Sequence, residues 1–438
     1  MLLFFLFPLG QLEKLPLNIP GVSIYLHDLV LAGIWITLLL NCQIAKLLKD
    51  KFTKKFLLFT GIAFLAWIIN LPRWGPSVGG LTGLMYLVRW IGLFGIYLLI
   101  KSLSSKFLIS NSEFLNKSQI QNSEFINHNS YLINLLKLSV FATAIFGVVQ
   151  YLLFPDLRYL RYFGWDDHYF RMTGTFLDPN FFGLIMVIGL GLELLAGSHP
   201  EAGKSAEGSP PATLYVAMRA GRSKTVDASL DSSVASPFRN DTKTNWLRVI
   251  FYLFCLALTY SRASWVAWLI LLVSWTISRI FCEPIKFDPF YLLRVLFRPL
   301  KLLTTCFLLL ATFLIFYFVP KPYGEGGNLL RTASVVAREN NWSQSWQIIK
   351  ENPVFGVGFN NYQLASPNHT KADNSLLLVW ATTGIFGFAA FVWLIFRIQP
   401  FWLILPIVIH SFFNNSLFYP WVMILVWAIG GAGDLSKK

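Results

Sequence analysis

The sequence carries little charge for its length. Only 13% of its 438 residues are charged and 55% are hydrophobic, against the ~25% charged residues of soluble domains. Its long apolar segments also lack the polar–apolar alternation of membrane β-strands. Because only α-helices and closed barrels satisfy their backbone hydrogen bonds within lipid, the sequence predicts an all-α fold, a polytopic bundle of about 12 transmembrane helices.

Metal-ligand and nucleic-acid patterns are also scarce. The four cysteines lie in or beside apolar segments with no CxxC pair, so we interpret them as small apolar residues. The net charge of +14 would favour nucleic acid in a soluble protein. Here basic residues in cytoplasmic loops beside anionic lipid explain the charge, and we expect a membrane partner and no nucleic acid.

Twelve apolar segments can be placed along the chain. They span about 1–10, 24–42, 56–72, 80–100, 131–154, 179–196, 246–260, 263–280, 302–319, 375–395, 400–415 and 418–433. The first would rise only ~15 Å as a helix against a ~30 Å hydrocarbon core, so either the true start lies upstream or the segment re-enters. The pair 246–260 and 263–280 can also be interpreted as one broken helix, which would invert the topology after it.

Lys and Arg divide unevenly between alternate loops. One set of loops holds 23 of the 36 basic residues and the other set holds 11. The positive-inside rule places the richer set and both termini in the cytoplasm. Residues 320–374 then form one large extracytoplasmic loop, in which the spacing of Trp342, Trp346 and Ile349 predicts an amphipathic helix over 333–351.

Composition also predicts the domain organisation. Residues 197–245 are rich in Ser, Ala, Gly and Pro without apolar periodicity, which predicts a disordered cytoplasmic insertion. The other boundaries follow the apolar segments. The predicted order is an N-terminal transmembrane bundle, this insertion, central transmembrane helices, the extracytoplasmic loop and C-terminal transmembrane helices, at 1–196, 197–245, 246–319, 320–374 and 375–438.

Five arginines are candidate binding residues. Any one of them alone can be explained as an anchor for lipid headgroups. Five together, with so few external acids to pair with, favour a polyanionic ligand, because the planar guanidinium binds phosphate oxygens in pairs. They are Arg171, Arg331 and Arg338 in the predicted outer loops, Arg262 between two apolar segments, and Arg89 within a segment.

The stretch KADNSLLLVWATTGIFGF, residues 371–388, opens an apolar segment with polar residues. Asp373 and Asn374 lie at its start, and Gly384 follows Asp373 by 11 residues, which is three helical turns. The acid and the glycine are therefore predicted to share a helix face. His369 lies one turn before Asp373. The alternative is an ordinary helix N-terminus, where Asp complements the macrodipole.

Two other polar clusters allow both a functional and a structural interpretation. Asp166, Asp167 and His168 are consecutive and would suit a divalent metal, although such clusters are more often solvated loops. His410 and Asn414 lie one helical turn apart and favour a polar seam between helices. We predict no metal site and no cofactor.

Four stretches in this order resemble the O-antigen ligase and O-antigen polymerase family of bacterial envelope proteins. The resemblance extends over most of the chain except 197–245, and the large external loop before the third-last helix also matches. The stretches are RMTGTFLDPNFFG (171–183), LTYSRASW (258–265), ARENNWSQSWQIIKENPVFGVGFNNY (337–362) and DNSLLLVWATTGIFG (373–387).

The resemblance implies an enzyme of the cytoplasmic (inner) membrane. Such an O-antigen ligase-like glycosyltransferase moves a glycan from an undecaprenyl-diphosphate carrier to a lipid, protein or glycan acceptor at the outer face, without a nucleotide sugar or a metal. A polymerase of the same family is the alternative. A membrane transporter and a catalytically inactive envelope scaffold are the rival hypotheses.

The family pattern also implies roles for individual residues. It has an arginine with Leu four residues later, here Arg262 with Val266, and a His 11 residues before a Gly, where this chain has Asp373. Arginines would stabilise charge on the leaving diphosphate, and Asp373 or His369 would take the acceptor's proton. The predicted site comprises Asp373, His369, Arg262 and Arg338 for catalysis, with Arg171, Arg331, Arg89 and Asn374 for substrate binding.

Overall fold

The fold was examined in a computed structural model of the chain. The structure describes residues 1–17, 22–40, 47–75, 78–110, 117–163, 165–196, 245–281, 298–318, 332–367 and 369–435. These residues are helical apart from connecting turns and two isolated β-bridges. The all-α prediction is therefore confirmed for them. The predicted insertion at 197–245 lies outside them except for Asn245.

The α-helices are numbered here in chain order. They are α1 Leu2–Leu6, α2 Leu26–Leu40, α3 Lys51–Trp74, α4 Val78–Ser110, α5 Lys117–Leu153, α6 Pro179–Ala196, α7 Trp246–Thr259, α8 Arg262–Phe281, α9 Arg298–Phe318, α10 Ala333–Glu351, α11 Tyr362–Ala365, α12 Ser375–Ile395, α13 Phe401–His410 and α14 Pro420–Leu435. Short 3-10 helices lie at Phe7–Glu13, Arg158–Phe163, Gly174–Phe176 and Ser416–Phe418.

Each predicted apolar segment contains a helix, and α10 occupies the predicted 333–351. The first segment is the five-residue α1 followed by a 3-10 helix that turns at Gly10. Four helices are long and apolar enough to cross a membrane, within α3, α4, α5 and α12, and seven apolar helices of the described residues are shorter. The chain is a helical membrane protein, and the number of its helices that span stays a prediction.

Helices α7 and α8 reverse direction between them rather than forming one broken helix. At the start of α6 the Asn180 side chain accepts a hydrogen bond from Ser261 at 2.8 Å. At its other end Glu193 lies 3.4 Å from the backbone nitrogen of Asn245, so α7 runs antiparallel to α6. Helix α8 then returns beside α6, because Leu271 packs against Gly191. The reversal occurs at Tyr260, whose φ is +50°.

The alternate loops gather at two ends of the bundle. At one end Lys101 pairs with Asp50 at 2.7 Å, and Lys137 pairs with Glu193 at 2.9 Å. These residues border loops of the set that is rich in Lys and Arg. The opposite end brings together the loops with fewer basic residues, around a large cavity. The membrane side of each end stays a prediction.

Cysteine labelling tests this orientation. Ser343, exposed on α10, and Lys51, exposed at the start of α3, lie at opposite ends. Ser343→Cys is expected to react with an impermeant thiol reagent in intact cells, and Lys51→Cys only after permeabilisation, because the basic loops are predicted to be cytoplasmic. Reactivity is compared with the unmodified chain, since Cys306 is itself exposed. The reverse labelling pattern would contradict the orientation.

Helix α12 breaks at Gly384, where φ is 68° and ψ is −171°. The turn that follows α10 fills the break. Ile385 N–H donates to the Pro353 carbonyl at 3.0 Å, and Val357 N–H donates to the Ala381 carbonyl at 2.9 Å. A Cβ at Gly384 would collide with the backbone of this turn, so position 384 requires glycine.

The prediction that Asp373 and Gly384 share a helix face is therefore wrong. Helix α12 begins only at Ser375, so Asp373 precedes the helix, and helical backbone angles are interrupted at Gly384. Gly384 instead allows the close approach of a turn. That turn is held by the end of α3, where Asn70 donates to the Gly356 carbonyl at 3.2 Å and Trp74 donates to the Val357 carbonyl at 2.7 Å.

Candidate functional site

A cavity of about 1990 Å³ opens at the end of the bundle where the loops with fewer basic residues meet. Small-molecule pockets usually measure ~300–1,000 Å³, so this cavity has room for an extended ligand. Its wall is formed by residues within 11–17 and 22–25, α4, 158–163 and 165–181, α10, 359–364 and 369–373, and 413–423. The wall mixes aromatic side chains with charged ones.

Arg338, in the second turn of α10, lines the cavity beside Asp373 and Asp178. Burial lowers the pKa of its guanidinium, Asp373 and Asp178 raise it, and Arg262 lowers it further. Asp373, Asp178 and Arg262 therefore all lie within electrostatic reach of Arg338. The four residues come from four different elements, the starts of α8 and α10 and the turns before α6 and α12.

Asp373 is the carboxylate of this cluster nearest the start of α12. Burial raises the pKa of Asp373, the Arg338 charge lowers it, and Asp166 raises it. The backbone N–H of Asp373 donates to the Asn341 side chain at 3.2 Å, which ties the residue to α10. A half-buried carboxylate with a raised pKa binds a proton more strongly than a solvated one, which suits a general base.

Asn374 caps α12 with its side-chain oxygen, which accepts from Leu376 N–H at 2.8 Å and from Leu377 N–H at 3.1 Å. The capping bonds at this helix start come from Asn374 and leave the carboxylate of Asp373 in the cavity wall. Asn374 itself is buried and does not line the cavity.

His369 lies on the cavity rim with an exposed side chain. Its Nδ1 is 3.1 Å from the Gln363 carbonyl, and its backbone has φ of +51°. Asp373, and not His369, is among the charges that shift the pKa of Arg338. Asp373, rather than His369, therefore interacts electrostatically with Arg338.

Arg171 is buried, and its Nε donates to the Thr259 carbonyl at 3.0 Å. It faces Asp178, which lies just before α6. Burial raises the pKa of Asp178 and the Arg171 charge lowers it. Asp178 was not predicted from the sequence, although an Asp directly before Pro at a helix start was visible in the stretch 171–183.

Arg89 is not in this cluster. It lines a different part of the cavity wall and forms an ion pair with Asp28 at 2.6 Å. Arg331 lies outside the described residues. The structure thus brings together Arg171, Arg262, Arg338 and Asp373, with His369 at the rim.

A buried hydrogen-bond network lies behind the cluster. The Asn180 carbonyl accepts from Ser264 at 3.0 Å, and its side chain accepts from Ser261. His410 Nε2 lies 3.3 Å from the Ser264 hydroxyl, and its Nδ1 lies 2.7 Å from that of Ser416. His410 thus takes part in a polar seam, and the network fixes the first turn of α8, where Arg262 lies. Asn414, predicted to share the seam, instead lines the cavity. Nothing in the sequence marked Ser261 and Ser264 as part of this network except that they lie next to Arg262.

The consecutive Asp166, Asp167 and His168 also line the cavity. Across the part of the chain that the structure describes, no group of three or more His, Cys, Asp and Glu side chains is arranged to hold a metal ion. Asp166 acts on the cluster through its charge, since it raises the pKa of Asp373 and of Asp178.

Comparison with known proteins matches part of the chain to a family. No curated protein matches the chain. Residues 247–392 match the family model described as O-antigen ligase. This range contains Arg262, Arg338 and Asp373, so the resemblance inferred from the motifs is confirmed. Over residues 247–392, the chain is therefore similar to the O-antigen ligase family.

Proposed function

We propose that the protein is an O-antigen ligase-like glycosyltransferase of the cytoplasmic membrane. It moves a glycan from an undecaprenyl-diphosphate carrier to an acceptor at the outer face, with both termini in the cytoplasm. The observation that carries the proposal is that Arg338 and Asp373 line one large cavity, with Arg262 within electrostatic reach of Arg338. The family match supports the reaction class.

The arginines would stabilise the leaving group. During transfer the bond between the anomeric carbon of the sugar and a diphosphate oxygen breaks, and negative charge grows on that oxygen. A fixed guanidinium in a partly dry site stabilises this charge more in the transition state than in the ground state. Arg338 is partly buried and lies near a second guanidinium, that of Arg262, so the two suit the two phosphates.

The carboxylate would activate the acceptor. The acceptor hydroxyl oxygen forms the new bond to the anomeric carbon, and its proton passes to Asp373. Burial raises the pKa of Asp373, and this brings its basicity closer to the working pH, where general-base catalysis is most effective. The charge of Arg338 keeps the carboxylate from being too strongly protonated between turnovers.

Deletion of the gene tests the function. Envelope glycans from the deletion strain are separated on a gel beside those of the parent. A ligase predicts the loss of all long chains on the acceptor together with an accumulation of carrier-linked glycan. A polymerase predicts acceptors with single repeat units alone. Unchanged glycans would contradict both and favour a transporter of another substrate or an inactive scaffold.

A further inference from the structure

The cavity has a second polar wall, formed by the N-terminal part of the chain and the start of α14. Gln11, Tyr25, Tyr86 and Arg89 line it, together with Tyr419. All five lie outside the family domain. This N-terminal wall differs from the arginine–carboxylate cluster in its chemistry.

Arg89 is already neutralised on this wall. Its Nε and Nη2 donate to the two oxygens of Asp28 at 2.9 and 2.6 Å. Its guanidinium carbon also lies 5.6 Å from the ring centre of Tyr25 and 5.5 Å from that of Tyr86. A diphosphate brought to Arg89 would meet the Asp28 carboxylate as well, and the repulsion would offset the attraction.

Arg338 has a different environment. Its pKa is lowered by burial and by the positive charge of Arg262, and it is raised by Asp373 and Asp178. Among the described residues neither of these carboxylates forms a direct ion pair with Arg338, whereas Asp28 is bonded to Arg89 at 2.6 Å. An anion bound between two like-charged guanidinium groups relieves their repulsion. The charged part of a carrier-linked substrate therefore fits the Arg338 side of the cavity better than the N-terminal wall.

The N-terminal wall offers aromatic rings and neutral hydrogen-bonding groups instead. The Tyr25 hydroxyl donates to Gln11 Oε1 at 2.9 Å, and Gln11 Nε2 donates to the Tyr419 hydroxyl at 3.2 Å. Tyr86 is half-buried and lines the cavity. A pyranose has an apolar C–H face and a rim of hydroxyl groups, which rigid amphipathic rings and fixed polar groups complement.

We propose that the N-terminal wall binds the sugar rings of the carrier-linked glycan, while the diphosphate lies at Arg338. The ligand class is an uncharged pyranose unit that stacks on Tyr86 and hydrogen-bonds to Gln11 and Arg89. This inference rests on the proposed function. It assigns Arg89 to the glycan rather than to the phosphates.

Binding of two probes to the full chain in lipid nanodiscs tests the inference. One probe is bare undecaprenyl diphosphate, and the other is the carrier-linked glycan extracted from host cells that lack the gene. Tyr86→Leu is expected to weaken binding of the glycan-bearing probe about tenfold and to change binding of the bare carrier by less than about twofold. Tyr86→Phe keeps the ring and is expected to bind both probes like the unmodified chain.

A second variant, Gln11→Leu, removes the amide without altering Tyr86 and is expected to show the same selective loss. Equal weakening of both probes by the Leu variants, or no effect on either probe, would overturn the inference. If the unmodified chain does not bind the bare carrier, or if the deletion strain accumulates no carrier-linked glycan, the proposed function itself fails. The two failures are therefore distinguishable.

Discussion

Replacing Arg338 with alanine is expected to lower the rate of glycan transfer about 10²–10³-fold, the usual cost of removing one donor that stabilises developing charge. The reason is its place in the cavity wall, partly buried and within reach of Arg262 and Asp373. Without the guanidinium, the charge on the departing diphosphate loses a fixed partner. The measurement is the transfer rate of purified protein with carrier-linked glycan and acceptor.

Lysine substitution separates charge from geometry. Arg262→Lys keeps the positive charge but loses the planar fork that binds two phosphate oxygens, so we expect it to be poor as well. Arg397→Ala is the matched control, because Arg397 is exposed at the opposite end of the bundle. Full activity in Arg262→Lys would reduce that arginine to a lipid anchor, and full activity in Arg338→Ala would remove the central element of the proposed mechanism.

Asp373→Asn is expected to lower transfer about 10²–10⁴-fold, as is typical when a general base is lost. The substitution keeps the size of the side chain and removes the site that accepts the proton. Burial raises the pKa of Asp373, and only the ionised form is a base. The rate of the unmodified enzyme should therefore rise with pH through this raised pKa, and the residual rate of Asp373→Asn should lack that step.

Two variants show which residue is the base. Asp373→His places an imidazole there and is expected to retain activity, with the pH step moved toward ~6.5. His369→Ala is expected to have little effect, because His369 lies exposed at the rim. If His369→Ala abolishes transfer while Asp373→Asn does not, the base is His369. If neither variant changes the rate, neither residue is the base and the proton passes to another group.

The positions of the helices could be predicted because they depend on local composition. Apolar length and basic loops were enough to place the segments, and the spacing of Trp342, Trp346 and Ile349 located α10. The packing of α10 was less well predicted. Trp346 remains 44% exposed, and its ring packs edge-on against Trp380 with 5.5 Å between the ring centres. The pattern of apolar residues predicts that a helix forms. Which of its faces is buried depends on the element that packs against it.

The candidate site was only partly predictable, since its members are far apart in the chain. Arg262, Arg338 and Asp373 were identified because their chemistry or their place in a motif marked them. The neutralisation of Arg89 by Asp28, a residue 61 positions away, left no local pattern in the sequence. The break at Gly384 was missed for a similar reason, since it depends on a turn from another element.

That break has a consequence for chimeric proteins. Ile385 and Ala381 satisfy their backbone groups with Pro353 and Val357, and non-helical backbone at membrane depth is tolerated only where protein covers it. Exchanging α10 and its turn with those of a relative would leave these groups facing hydrocarbon unless the new turn fits. The smallest segment that can be exchanged as a unit is therefore 333–395 together with the final turn of α3. The junctions of a chimera should lie outside this unit.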